Sequence, residues 1–258
     1  MVKVIHIDED IDEYDAIIAL GEFDGIHLGH QELLNVTKSI SLKHGYKSAM
    51  LTFTPHPDYV IGKREYEGYL TPLKEKERIV NKLGIDYLFV LDFMSVSSMS
   101  PEEFYDKYLS KFKGVVCGFD FKFGYKGSGN ASFLKDKFDI CEIVNEVLYY
   151  GVKVGSSEIR RYLSLGNIKV ANEFLDRRYS LDVKVINVDC GKCECSIDKE
   201  CYLPKNGIYK CEYFINEYES CLTSCIIEKM VLKLNEFNNI KIDDIIRIEL
   251  IEYIESGV

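Results

Sequence analysis

The chain has 258 residues, 47% hydrophobic and 29% charged, a globular composition with room for one large domain or two ordinary ones. Thirty-two Lys and Arg against 42 Asp and Glu give a net charge of −10, which argues against nucleic acid held on a broad basic surface and leaves a small anionic ligand open. The apolar run Ala16–Leu20 is far short of the roughly 20 residues a membrane span needs, and the N-terminal stretch MVKVIHIDED turns acidic where a signal peptide would carry its apolar segment, so no membrane association and a cytoplasmic location are expected.

In chain order, short apolar runs alternate with helical patterns, as a parallel sheet with crossover helices requires. Strands are predicted at Ala16–Leu20, Ser48–Phe53, Tyr87–Leu91, Val115–Gly118 and Ile140–Val144. Between them Leu33, Val36 and Ile40 recur at helical spacing, as do Phe104, Tyr108 and Phe112. Gly155 to Arg177 reads as helical. After Tyr179 the period falls to two in 181–188, 207–214 and 245–254, the mark of half-buried antiparallel strands. The expected architecture is therefore α/β: a Rossmann-like domain with a parallel sheet over residues 1–179, followed by a small antiparallel β-barrel-like domain over 180–258.

In an open parallel sheet ligands bind beyond the carboxyl ends of the strands, which directs attention to the loops after Leu20, Phe53 and Gly118. The first reads Gly21-Glu-Phe-Asp-Gly-Ile-His-Leu-Gly-His30. Gly21 and Gly25 allow a tight turn, Gly29 allows close backbone approach, and a helix beginning here supplies unpaired N–H groups and positive potential suited to phosphate. His27 and His30 can then donate to phosphate oxygens as charge builds during attack at phosphorus. A metal site built on this pair is disfavoured, because no third ligand follows at a usual spacing. In the second loop Thr52 precedes Pro55-His56-Pro57, whose prolines stiffen the presentation of His56. The third, Gly118-Phe-Asp-Phe-Lys-Phe-Gly124, places Asp120 at a strand end, where it could bind a ribose hydroxyl or a base edge, with Phe121 and Phe123 reading as core. Further on, Ser156-Ser157-Glu-Ile-Arg160 is either a serine helix cap or a second phosphate cradle with a guanidinium.

The His27-Leu-Gly-His30 segment resembles the H-x-G-H signature of the nucleotidyltransferase superfamily, and its surroundings resemble the bacterial FAD synthetases, the bifunctional riboflavin kinase/FMN adenylyltransferases. Further blocks stand in that family's order: Leu51-Thr-Phe-Thr-Pro-His-Pro57, Leu70-Thr with Lys74 and Lys76 ahead of Leu83-Gly-Ile-Asp, Val116-Cys-Gly-Phe-Asp-Phe-Lys-Phe-Gly124, and Val154-Gly-Ser-Ser-Glu-Ile-Arg160. The resemblance covers roughly residues 14–180. It implies transfer of the adenylyl group of ATP to FMN, giving FAD and pyrophosphate, with Mg²⁺ on the triphosphate. By the same resemblance His27 and His30 are the catalytic pair. Gly21, Phe23, Asp24, Gly25, Gly29, Asp120, Ser156, Ser157 and Arg160 fall to ATP, and Thr52, Pro55, His56, Pro57, Lys126 and Asn130 to the flavin.

Departures from the family pattern bear on function. Glu22 stands where the family usually has Asn, and Lys126 and Asn130 replace an Arg and an acidic residue of its glycine-rich loop. The family's kinase motif G-R-x-L-G-F-P-T-A-N is absent after Tyr179, where seven of the nine cysteines lie, so adenylyl transfer without riboflavin kinase activity is expected. Cys190-x-x-Cys193 invites a zinc reading, but Cys195 and Cys201 follow at irregular spacing, which favours metal-free structural thiols. Adenylylation of another small phosphate, or a flavin-binding protein without catalysis, remain as other readings.

Overall fold

The computed structural model describes residues 1–7, 12–63, 65–189, 191–216 and 219–254. Contacts divide the chain into two units, Met1–Tyr66 with Leu73–Lys153, and Glu67–Pro72 with Val154–Val258. The helical stretch that the sequence reading groups with the first domain thus packs with the second.

In the first unit the apolar runs form a six-stranded sheet of β1 (Lys3–Ile7), β2 (Tyr14–Leu20), β3 (Lys47–Thr54), β4 (Tyr87–Asp92), β5 (Phe112–Gly118) and, after the two-residue pair β6 (Lys122–Phe123) and β7 (Gly129–Asn130), β8 (Cys141–Val144). The order is β1-β4-β3-β2-β5-β8, and every pairing is parallel. A hairpin of β9 (Leu148–Tyr149) and β10 (Val152–Lys153) closes the unit. Helices α1 (Leu28–His44), α2 (Pro57–Val60), α3 (Leu73–Lys82), α4 (Phe93–Val96), α5 (Pro101–Lys107) and α6 (Ala131–Lys137) connect the strands. Ile18, Leu20, Leu51 and Phe89 enter one apolar cluster while Ile17, Ala19, Met50 and Leu88 enter another, so both faces of the sheet are buried. This is why the strands read as uninterrupted apolar runs.

The chain leaves β2 toward β3 on one side and reaches β5 on the other, so strand order reverses between β2 and β5, the position where such sheets open a crevice. The loops after β2, β3 and β5 therefore leave three adjacent strands. One expected element ends early: Phe104 and Tyr108 belong to α5 and the turn after it, but Phe112 opens β5, because a 3₁₀ turn at Leu109–Lys111 breaks the helical period.

In the second unit the helical stretch divides at Gly166 (φ +82°) into α7 (Ser156–Leu165) and α8 (Ile168–Leu175). A closed antiparallel barrel follows, built from β11 (Tyr179–Asp189), β12 (Lys192–Ile197), β13 (Gly207–Phe214), β14 (Ser220–Glu228), β15 (Val231–Leu234) and β16 (Ile245–Ile254), in the order β11-β12-β15-β14-β13-β16. Closure removes exposed strand edges. Its filling follows the period of two: Leu181, Val183 and Val185, Tyr209, Cys211 and Tyr213, and Ile246, Ile248 and Leu250 are all buried. Cys193, Cys195, Cys211 and Cys225 are also buried, and the Cys193 and Cys195 sulfurs lie 3.7 Å apart as free thiols. Burial pushes the Cys201 thiol up to about 12, the behaviour of an inert apolar side chain. Cys190, the first member of the zinc reading, lies outside the described residues.

Candidate functional site

The turn after β2 is backbone-strained and anchored from below. Phe23 (φ +52°) and Ile26 (φ +37°) adopt left-handed conformations that non-glycine residues rarely hold, with Gly25 (φ +90°) between them. Both apolar side chains are fully buried in the sheet's apolar cluster, which compensates for the strain. Phe23, assigned to ATP by resemblance, thus commits its ring to the core and leaves its backbone to the turn. Asp24 is buried beside it.

The helix that follows is capped by a histidine. His27 is the N-cap of α1 in extended conformation, and its Nδ1 accepts the His30 backbone N–H at 3.4 Å. In the neutral ring the proton then sits on Nε2. The two imidazoles stack at a centroid distance of 3.8 Å and an interplanar angle of 17°, and the far side of His30 meets the Phe23 ring at 5.0 Å. The first turn of α1 carries no acidic residue, so the positive potential of this helix end is not neutralised from within the helix. The stacked histidine pair and a positive helix end thus lie together in the loop beyond β2.

The second loop packs against the first. His56 is buried and caps α2, its Nδ1 accepting the Asp58 N–H at 3.1 Å, while Nε2 lies 2.9 Å from Glu22 Oε2. With Nδ1 accepting, Nε2 carries the proton and donates to the carboxylate. Glu22, His56 and Asp58 form the one group of three neighbouring metal-ligating side chains among the described residues. In this structure His56 is engaged between Glu22 Oε2 and the Asp58 N–H. Pro57 is buried and Pro55 exposed.

Sequence reasoning missed what joins these loops. Thr52 Oγ1 donates to the Glu22 carbonyl at 2.8 Å, and the Lys76 ammonium donates to both that carbonyl (3.0 Å) and Thr52 Oγ1 (2.7 Å). Lys76 is 4% exposed on the inward face of α3, among Ile79 and Val80. Burial pushes its ammonium down to about 8, against the opposing pull of Asp24 and Glu22. Its signal in the sequence is a lysine at an inward position of an amphipathic helix.

In the third loop Asp120 is exposed and accepts from Lys153 Nζ at 2.9 Å, and this pairing raises the Lys153 ammonium above its usual range. Phe123 is buried as expected, with Phe121 stacked on it. Lys126 is exposed over the Tyr125 ring, and Asn130 caps α6 by accepting the Phe133 N–H at 3.0 Å. In the second unit Ser156 and Ser157 occupy the first two positions of α7 after an N-cap at Gly155, so neither is the serine cap. The Arg160 guanidinium is buried, donating to the Gly68 carbonyl at 2.8 Å and lying on the Tyr202 ring.

The chain is similar to known proteins. Residues 9–158 match the family model of FAD synthetase. Relatives include a bifunctional riboflavin kinase/FMN adenylyltransferase of Listeria monocytogenes, 33% identical over 79% of this chain and 69% of its own length, and one of Bacillus subtilis, 36% identical over 73% and 63%. A second Listeria protein, named FAD synthetase, is 32% identical over 64% of this chain and 70% of its own. The chain spans about two thirds of the length of these relatives. A crystal structure described as that of a macrolide-efflux protein from Streptococcus pneumoniae matches with a TM-score of 0.91 at 25% identity, covering 100% of this chain and 92% of that one. No helix among the described residues is long and apolar enough to cross a membrane. With more than half of its length matched by the family model and the H-x-G-H pair seated on a helix end at the sheet's carboxyl edge, the chain belongs to the FAD synthetase family.

Proposed function

We propose that this protein is an FMN adenylyltransferase without riboflavin kinase activity. The observation that carries the reading is the stacked His27–His30 pair at the N-terminus of α1, behind a strained turn, in a chain of this family. A phosphate oxygen of FMN attacks the α-phosphorus of ATP; the new P–O bond makes FAD, and the bond to the β-phosphate oxygen breaks to release pyrophosphate. The nucleophile is already an anion, so no covalent enzyme intermediate and no strong base are needed, and positioning with charge stabilisation supplies the rate. His27, with its donor on Nε2, and His30 stabilise the phosphate oxygens as charge accumulates.

The glycines of the turn, Gly21 and Gly25, admit the nucleotide's phosphates close to the backbone, and Gly29 does so within the first helical turn. Mg²⁺ accompanies ATP, held by substrate and water, as suits a cation that dehydrates reluctantly. Thr52, Pro55, His56 and Pro57 form the flavin side of the site. The Glu22 carboxylate, standing where the family usually has Asn, is engaged by His56, which draws its charge toward the imidazole and away from the incoming phosphates. In this reading residues 1–179 carry the adenylyltransferase sequence, its last two helices packing within the second unit, and 180–258 form a kinase-like barrel that has lost its nucleotide motif.

The test is incubation of the full chain with ATP and Mg²⁺ and either FMN or riboflavin, with chromatography of the flavins. FMN is expected to give FAD, and riboflavin to remain unchanged. ATP-dependent formation of FMN from riboflavin would overturn the absence of kinase activity, and failure to form FAD would overturn the adenylyltransferase.

A further inference from the structure

The Lys76 ammonium is buried, and neither the chemistry above nor the family resemblance gives it a role. Burying a lone ammonium among apolar residues is costly unless something compensates for it, and an apolar residue would fill the inward face of α3 at lower cost. Its partners show where it acts. Lys76 donates to the Glu22 carbonyl in the strained turn and to the Thr52 hydroxyl at the end of β3, and Thr52 donates to the same carbonyl. Three segments distant in sequence are thereby closed into one triangle of hydrogen bonds. From Glu22 the chain continues through its side chain to His56, and from its backbone directly into Phe23 and the turn that presents His27 and His30.

We propose that Lys76 is a positioning residue for adenylyl transfer, its ammonium fixing the Gly21–Gly25 turn to the end of β3 so that the histidine pair and the flavin loop keep one relative placement. The proposal rests on the reading of this turn as the phosphate site. Lys76 touches no reacting atom in this account. The negative groups around it, Asp24 and Glu22, are retained near a polyphosphate site because the ammonium offsets them. The Thr52 hydroxyl and Glu22 carbonyl remain paired to each other when the ammonium is removed, so the fold tolerates the loss better than the alignment of the site does.

The test compares wild type with Lys76→Met, Thr52→Val and the double variant in the full chain. Two measurements are made: amide hydrogen exchange, and kcat with KM for ATP and FMN. Lys76→Met is expected to speed exchange of the 21–25 amides at least tenfold while barrel amides exchange at wild-type rates, and to lower kcat ten- to a hundredfold with KM for ATP moving less than threefold. Thr52→Val should speed the same amides, and the double variant should speed them no more than Lys76→Met alone, since both hold the turn through one triangle; kcat is read on Lys76→Met only, because Thr52 also faces the flavin. Unchanged turn exchange in Lys76→Met overturns the proposal, as do additive increases in turn exchange in the double variant. Should Lys76→Met accelerate exchange throughout, Thr52→Val decides, and its failure to loosen the turn overturns the proposal. A wild type that makes no FAD removes the adenylyltransferase reading alone, because the exchange measurements still decide whether Lys76 holds the turn.

Discussion

Truncating His30 to alanine separates its catalytic from its structural contribution, because the two have different sizes here. The ring stacks on His27 at 3.8 Å and leans on Phe23 at 5.0 Å. Aromatic contacts of this kind are worth about 0.5–1.5 kcal/mol each, and alanine returns about 0.5 kcal/mol in helix propensity, so the net structural cost is about 0.5–2.5 kcal/mol. The backbone N–H of residue 30 remains, so the bond to His27 Nδ1 survives the substitution. For a chain of this size the melting temperature should fall by about 1–10 °C. Loss of one preorganised donor to a transition-state oxygen costs about 3–4 kcal/mol, or 10²–10³ in turnover. His30→Ala should therefore remain folded at 25 °C and bind FMN within threefold of wild type while its single-turnover rate of FAD formation collapses. The assay is differential scanning calorimetry beside rapid-quench measurement on the same preparation. A variant within threefold of the wild-type rate per folded molecule refutes the catalytic role.

Two further outcomes follow from the packing. Gly68 has φ +90°, and a Cβ there would meet the Cys201 carbonyl oxygen at 2.4 Å and the Tyr202 nitrogen at 2.7 Å, so Gly68→Ala should cost more than about 3 kcal/mol and yield little folded protein; a melting temperature within 3 °C of wild type would contradict this. Lys76 titrates at about 8 when folded and near 10.5 when unfolded, so the unfolded chain binds the extra proton between those values and wild-type stability should rise relative to Lys76→Met by about 1.4 kcal/mol per pH unit from pH 8 to 10.5. Denaturant titrations showing a pH-independent difference would remove the buried charge from the account.

The parts of this molecule legible in the sequence are those fixed by local pattern. Four parallel strands, β2 to β5, announce themselves because burial on both faces demands apolar runs, β8 reads as a strand although it lies part-exposed at the sheet edge, and three barrel strands are legible because burial on one face demands alternation. β1 escapes because Lys3–Ile7 pairs only with β4 and is largely part-exposed, giving neither pattern. β14 escapes because Ser220–Glu228 mixes serine, threonine and cysteine on both faces. The histidine pair is legible because its chemistry lies within four residues and one helix cap.

The rest of the site was illegible for the opposite reason: its determinants are relations between segments. Glu22 reads as an added carboxylate beside a phosphate site, a burden on affinity, until the fold sets His56 2.9 Å away and gives the charge a partner. Lys76 reads as one of several lysines on a helix rich in them, until α3 turns it inward onto a carbonyl and a hydroxyl supplied by two other loops. The distinction has a physical basis. A residue whose partner lies within one helical turn is constrained by local geometry, whereas Lys76 on α3 and Glu22 after β2 are 54 residues apart and meet only in the folded chain. A buried cation kept where an apolar residue would pack at lower cost is evidence of selection for something other than stability. In this chain it lies directly beneath the strained turn that leads into the histidine pair, where a shift of 1 Å can cost a hundredfold in rate.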